Sequence, residues 1–575
     1  MFFRIRLGSL APLLVLAACG GKTTDAPVDD GGGVADSGRA DPGRDSGVPP
    51  DDAPRVDSDH PDAIHVTHVE KLDLLLAVDN SQSMGDKQEL FARVVPQLVK
   101  TILASGAIKD LHVGVITSSL GSYGTSACDP SFGHNDDRGH LLPRADDGVT
   151  MGYRLGDDGS VFLVSCPSPV AASPLTWTYA GPSGADTAVG VGTSCIVRSV
   201  AQDGCGYESQ LESLYHFLFD PRPFAKAAVK CTFGVSGDAC GTNKIEVTGI
   251  DDELLTQRAA FLRPDSALSV VMLTDENDAS LKPAQLNWIP WAYGKGQMQR
   301  GWKGCESVPD DFEPETAAEF ATLHSTYGCY SCFERTDDPA RNCTVPWAKD
   351  PLNADVDGRN LRESLQVQRF GYNFLWGRQR YVDGFTKTTL PGVSDTGGVV
   401  AMPNPIYVGG YRTPDLVRFT AIVGVPPNLV EDASGTPRVL DDAAWQAIVS
   451  ADPAKRDPHM IVSIAPRAGL PKYAGDRSVD PVHGGDRDIL DGDDIQFACI
   501  GVRATTERSD DCGGPNPEAY NPLCDAGGMQ TRYKAFPGLR VLRVARELGA
   551  QGNVASICST SLAKLSVLPP GLAHP

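Results

Sequence analysis

Basic residues are in short supply: 51 Lys and Arg stand against 73 Asp and Glu, a formal net charge of −22 over 575 residues. Such a surface would repel a nucleic acid rather than neutralise it, which removes DNA and RNA as partners. The acidic balance suits a secreted surface that holds divalent cations. Catalytic signatures are missing as well. The chain has no His-Glu-x-x-His for zinc proteolysis, no Gly-x-Ser-x-Gly and no complete phosphate-binding loop. Its eleven histidines are scattered, and His60, His65 and His68, before or at the edge of the folded region, make only a weak metal tail. The expectation is a protein that recognises a partner, not an enzyme.

The apolar fraction of 41% is enough for a substantial core, and the length allows either several domains or one domain with long insertions. At the amino terminus, Arg4 and Arg6 precede an apolar segment from Leu7 to Ala18 that is too short to span a bilayer. It reads as a secretory signal over residues 1–18. Leu16-Ala17-Ala18-Cys19 resembles a bacterial lipobox, which implies cleavage before Cys19 and a lipid on that cysteine. An ordinary signal peptide is the alternative. Gly20 rather than Asp after the cysteine points, on the same resemblance, to the outer membrane of a bacterial cell envelope.

Residues 19–70 form the linker. From Gly20 to Ile64 there are eleven acids, four Lys or Arg and almost no large apolar side chain. Such a stretch cannot bury enough surface to fold. As a flexible coil of about 45 residues it would have a root-mean-square reach of roughly 35–40 Å, the length of a tether from lipid to domain. Fifteen cysteines, of which fourteen remain when Cys19 carries lipid, suggest seven disulfides in an exported chain. Cys195/Cys205 and Cys231/Cys240 are candidates for local loops. Cys305, Cys329, Cys332 and Cys343 form one cluster, readable as disulfides or as four thiolates on zinc, and Cys499, Cys512, Cys524 and Cys558 form another.

The chain is organised around Leu72–Ser83. Leu74-Leu75-Leu76-Ala77-Val78 is a continuous apolar run that suits a strand buried on both faces of a parallel sheet. It breaks off into Asp79, Ser81 and Ser83, alternating with Asn80 and Gln82. An extended turn at a strand tip points alternate side chains one way, so three oxygen ligands converge. A second apolar run, Leu268 to Leu273, ends in Thr274-Asp275. Two strand–acid junctions of this kind resemble the metal-ion-dependent adhesion site of the von Willebrand factor type A (VWA) domain.

That resemblance implies an α/β fold, a doubly wound, mostly parallel Rossmann-like sheet, with a divalent cation (Mg²⁺, Ca²⁺ or Mn²⁺) at the carboxyl ends of its strands. In the family pattern the two hydroxyls touch the metal and the first acid acts through water, which assigns Ser81, Ser83, Asp79 and Asp275. The family's third element, a Thr-bearing loop opening a helix, falls near Cys205-Gly206-Tyr207-Glu208-Ser209. Here the chain departs from the pattern: Glu208 or Ser209 stands in that place, and both also suit a helix start. Asp79 and Asp275 already offset a divalent charge, so a bound Glu208 would weaken the capture of an acidic partner.

The domain is expected over residues 71–568, interrupted at about 120–195, 278–410 and 466–541 by irregular, disulfide-bearing insertions. Asp86–Ala104 reads as the first helix, with Pro96 set to kink it. Leu111–Thr117 reads as the second strand, with His112 facing a neighbour within the fold. Val161–Ser165, Val417–Val425 and Met460–Ile464 read as further strands, Tyr207–Phe219 and Asp252–Leu262 as helices, and Leu562, Leu565 and Val567 suggest a terminal helix. Glu276-Asn277-Asp278 and the acids from Asp486 to Asp494 read as solvated turns or secondary cation sites. Trp288, Trp291, Tyr293 and Trp302 form a small core or a sugar-stacking face. Asn353-x-Asp355-x-Asp357-Gly358 opens like an EF-hand loop but has Ser364 where Glu is needed. The favoured function is a lipid-anchored envelope binding or adhesion protein with a protein or other extracellular ligand. The alternatives are an envelope hydrolase acting through its insertions and a calcium-stabilised structural module.

Overall fold

A computed structural model describes residues 69–572 except 124–127, 129–130, 132, 144–150, 157, 168–173, 179–184, 232–242, 284–300, 333–358, 395–397, 490–493 and 514–520. The chain divides into two units, Met1–Ala63 and Ile64–Pro575, and the described residues belong to the second. The signal, Cys19, the three early histidines, the EF-hand-like run Asn353–Gly358, Trp288, Trp291, Tyr293, Cys240 and Cys343 lie outside them.

Six strands make the central sheet: β1 (Lys71–Val78), β2 (Asp110–Thr117), β3 (Leu175–Thr178), β4 (Ala267–Leu273), β5 (Val417–Val423) and β6 (Gly552–Ser556), in the order β6-β5-β4-β1-β2-β3. All neighbours are parallel except β3, which runs antiparallel to β2. The unbroken apolar run of β1 has the cause the sequence suggests. Leu74, Leu76 and Val78 pack on one face with Phe91, Val95 and Ile196, while Leu75 and Ala77 pack on the other with Leu211, Leu254 and Leu542. Each such leucine, fully buried, contributes roughly 1.5–3 kcal/mol.

Among the helices that pack against these faces are α1 (Gly85–Ala104), α2 (Ala185–Arg198), α3 (Gln210–Leu218), α4 (Asp252–Phe261) and α5 (Leu539–Glu547). α1 runs unbroken through Pro96. Proline removes the amide that would bond the carbonyl four residues earlier, here Ala92. Ser194 Oγ of α2 donates to that Ala92 carbonyl at 2.8 Å, so the neighbouring helix supplies the missing donor.

Several expectations are corrected. Val161–Ser165 is a strand, but it pairs with Met151–Leu155 in a separate hairpin. Met460–Ile464 is not a strand: Pro458–Met460 forms a 3₁₀ turn, because proline at its first position favours helical geometry. Leu562–Lys564 is likewise a single 3₁₀ turn rather than a terminal helix. α3 begins at Gln210, three residues later than read, because 207–209 turn along the edge of the sheet. Asp278 and Asp486 are not solvated; both are fully buried and ion-paired, to Arg540 and Arg467. His112 does face a neighbour, with Nδ1 3.0 Å from the Phe261 carbonyl.

Disulfides join Cys128–Cys205, Cys166–Cys195, Cys305–Cys329, Cys499–Cys558 and Cys512–Cys524. Cys195 and Cys205 therefore do not pair with each other. Cys195 lies within α2 and bonds to the end of the 151–165 hairpin, whereas Cys205 lies beyond that helix and bonds to the insertion after β2. Cys305, Cys329 and Cys332 are all disulfide-bonded, which removes the four-thiolate zinc reading. Trp302 is buried against Tyr330, ring centroids 4.4 Å apart, as part of a small core.

Candidate metal centre at the carboxyl edge of the sheet

β1 and β4 are adjacent and in register, Val78 beside Leu273, so the chain leaves both strands at one edge. Asp79 N–H still donates to the Leu273 carbonyl at 2.9 Å. Beyond it Ser81 is extended and Gln82–Met84 form a 3₁₀ turn leading into α1, so a tight turn brings the serines together, not an extended one. Ser81 Oγ lies 3.3 Å from Ser83 Oγ, and Ser83 Oγ donates to Asp275 Oδ1 at 2.9 Å. Hydroxyls from the β1 turn and a carboxylate from the β4 turn thus share one point, at the edge where open α/β sheets place ligands.

Asp79 is held rigidly. Its Oδ2 accepts from Thr274 Oγ1 at 2.7 Å and Gln210 Nε2 at 3.3 Å, and its Oδ1 accepts from Ser81 N–H at 2.8 Å with Ser118 Oγ at 3.1 Å. Burial, and then the nearby Asp275 charge, push its carboxyl up, while the Thr274, Ser81 and Ser118 hydrogen bonds pull it back. Asn80 pins the next loop: Gly204 N–H donates to its carbonyl at 2.9 Å, and a Cβ on Gly204 would sit 2.4 Å from its side chain. Only glycine permits that approach, and the Cys128–Cys205 bond ties down the adjoining residue.

That loop delivers Glu208, which is buried with Oε2 lacking a hydrogen-bond partner. Carboxylate oxygens of Glu208, Glu276 and Glu363 lie within 4.8 Å of one another. Burial first, and then the other carboxylates, including Asp79, hold the Glu208 and Glu276 carboxyls well above the ordinary glutamate range. A cation is the direct remedy for such crowding. Ser209 does not join: its hydroxyl is 3.4 Å from the Tyr207 carbonyl, and its amide donates to Ser118.

One positive charge is built in. Lys87, in the first turn of α1, places Nζ 2.9 Å from Asp275 Oδ2, 3.0 Å from Asp86 Oδ1 and 2.7 Å from the Ser83 carbonyl. Burial opposes its charge, but Asp275 and Asp86 more than offset that, and its pKa is raised. Asp275 is left with Oδ1, on the Ser83 side, for a metal or a metal-bound water. Lys87 had only a helical position in the sequence, and Glu363 lay far downstream in an apparent insertion. Glu276 and Thr274 were visible as neighbours of Asp275.

The oxygen-only donor set of Ser81, Ser83, Asp79 and Asp275, bordered by three further carboxylates, fits a hard divalent cation. No family model matches the chain, and neither the curated proteins nor the solved structures yield a match to it.

Proposed function

We propose that this protein is a VWA-like module of doubly wound, Rossmann-like topology that captures a partner through a divalent cation (Mg²⁺, Ca²⁺ or Mn²⁺) at the edge described above. The observation carrying this reading is the meeting of Ser81, Ser83 and Asp275 across two separate strand ends. Ser81 and Ser83 would bind the ion directly, and Asp79 and Asp275 would act directly or through water. Once the bound cation has ionised it, Glu208 adds negative charge nearby, so the partner is better matched by a neutral oxygen or a second cation-binding surface than by a bare carboxylate. The function is recognition without turnover.

The lipobox-like Leu16–Cys19 and the acidic tether support attachment to a bacterial envelope, with the domain reaching a protein or other extracellular ligand. The buried trio Glu208, Glu276 and Glu363 favours a second reading, a calcium that stabilises the domain without capturing anything. Pull-down from envelope extract with magnesium, calcium or chelator separates the two. Metal-dependent capture that Ser83→Ala abolishes supports the first; metal-dependent melting with no captured partner supports the second. Consumption of a captured ligand would instead favour a hydrolase.

A further inference from the structure

Far from the sheet edge in sequence, two histidines meet over one carboxylate. His459 Nε2 lies 3.0 Å from Asp480 Oδ2, and His483 Nδ1 lies 3.3 Å from Asp480 Oδ1. All three side chains are buried: His459 is 9% exposed, Asp480 6% and His483 0%. One ligand atom from each lies within 4.8 Å of the other two.

Each imidazole is oriented from behind. His459 Nδ1 is 2.7 Å from Asp457 Oδ1, and His483 Nε2 is 2.7 Å from Asp486 Oδ1. Asp486 is itself clamped by Arg467, whose Nη2 donates to Oδ1 at 2.7 Å. A carboxylate so engaged accepts and does not donate, so it fixes the His483 proton on Nε2. The Nδ1 lone pair then faces the Asp480 carboxylate with no hydrogen bond of its own. Two acceptors face to face in a buried site call for a positive charge between them, either a second ring proton or a metal ion.

The backbone is shaped to this end. Val482 N–H donates to Asp480 Oδ1 at 2.8 Å, and the loop returns to Asp486 through Gly485 at φ 113°, where a Cβ would meet the Tyr473 amide nitrogen at 2.8 Å. Three contacting carboxylates against one guanidinium leave two negative charges when both imidazoles are neutral. That excess equals the charge of a divalent ion. A carboxylate on the far nitrogen of each ligating histidine is the usual support for a metal-binding imidazole. Ligands at about 2.0–2.1 Å from a tetrahedral ion stand roughly 3.3 Å apart, and the two imidazole nitrogens lie 3.0 and 3.3 Å from Asp480, one from each carboxylate oxygen.

We infer that His459 Nε2, Asp480 and His483 Nδ1 bind one zinc ion, with Asp457 and Asp486 as positioning residues, and that this site is separate from the oxygen-only edge of the sheet. Nitrogen donors select zinc over magnesium or calcium. Binding displaces the proton shared by His459 and Asp480 and ties the 457–486 segment together.

The test uses the purified full chain with its disulfides intact, stripped with chelator and titrated with Zn²⁺ against a competing chelator, and with Co²⁺ followed by visible absorption. Expected are one tight zinc per chain and a tetrahedral cobalt band without thiolate charge transfer, since the ligands are two imidazoles and a carboxylate. His483→Ala should weaken zinc binding at least 100-fold, while the shape-conserving Asp457→Asn should weaken it about 10- to 100-fold. Ser83→Ala should leave it unchanged. Should His483→Ala not fold, the wild-type cobalt spectrum and Asp457→Asn decide. Zinc affinity no tighter than millimolar, a thiolate cobalt spectrum, or equal affinity in wild type and Asp457→Asn would each overturn the assignment and leave a hydrogen-bonded network only.

Discussion

Lys87 and Asp275 form an ion pair of 2.9 Å in which the lysine side chain is 2% exposed and the aspartate 0%. The pair divides Asp275 in two: Oδ2 belongs to the fixed ammonium and Oδ1 to the Ser83 hydroxyl. Lys87 thereby sets a fixed positive charge against one side of the acid. Lys87→Met should cost about 3–5 kcal/mol, the usual result of stranding a buried charge. Part of that loss should return with added Ca²⁺ or Mg²⁺, because the variant site is more negative and binds the cation more tightly. Denaturant unfolding with cation and with chelator measures both effects. An identical loss in the two conditions would place the ion away from Asp275.

Ser83→Ala removes a hydroxyl that makes one hydrogen bond to Asp275, worth about 1 kcal/mol. Its melting temperature in chelator should stay near that of the wild type, whereas the rise on adding divalent cation should disappear, as linkage requires. Asp79→Ala is the harsher change, because it strands the Thr274 hydroxyl and the Ser81 amide. It should lose both the cation response and about 2–4 kcal/mol in chelator. Scanning calorimetry on the three proteins checks the order.

The pH dependence follows from Glu208 and Glu276. Burial and then neighbouring carboxylates raise both above their ordinary 4.5. Their contribution to stability is fully present below the unfolded value of 4.5 and is lost as pH rises through the folded values. A cation binds the ionised form and opposes the loss. The stability difference between calcium and chelator should therefore widen from pH 4.5 upward, and Glu208→Gln should flatten it. Taking the difference at each pH cancels groups remote from the cation, among them His216, which burial depresses to about 4. A difference independent of pH would separate the ion from this trio.

Membrane attachment should depend on Cys19. The lipobox-like Leu16–Cys19 follows a short apolar segment and precedes an acidic tether, so Cys19→Ser should leave the chain unlipidated and in the soluble fraction. Fractionation and mass spectrometry of the amino-terminal peptide read this directly. A variant still processed and recovered with membranes like the wild type would overturn it.

What the chain order alone determined is local. Leu74 to Val78 is apolar without interruption because β1 is buried on both faces, and Asp79, Ser81 and Ser83 occupy one turn, so their convergence needs no distant partner. Asp275 was legible for the same reason, at the tip of a second run of that kind. β6 and α5 were hidden: Gly552–Ser556 is five residues with only Val554 and Ala555 apolar, and it becomes a strand by pairing with β5. Whether Cys205 bonds to Cys195 or Cys128 is set by which sulfur the folded chain brings near, since spacing carries no direction. Glu363 reaches Glu208, and His459 reaches His483, only after intervening chain has closed on itself. These contacts depend on packing between segments remote in sequence. Periodicity and short motifs describe a segment's own preference, while the charge a distant loop brings beside it is decided only when the tertiary structure removes water from both.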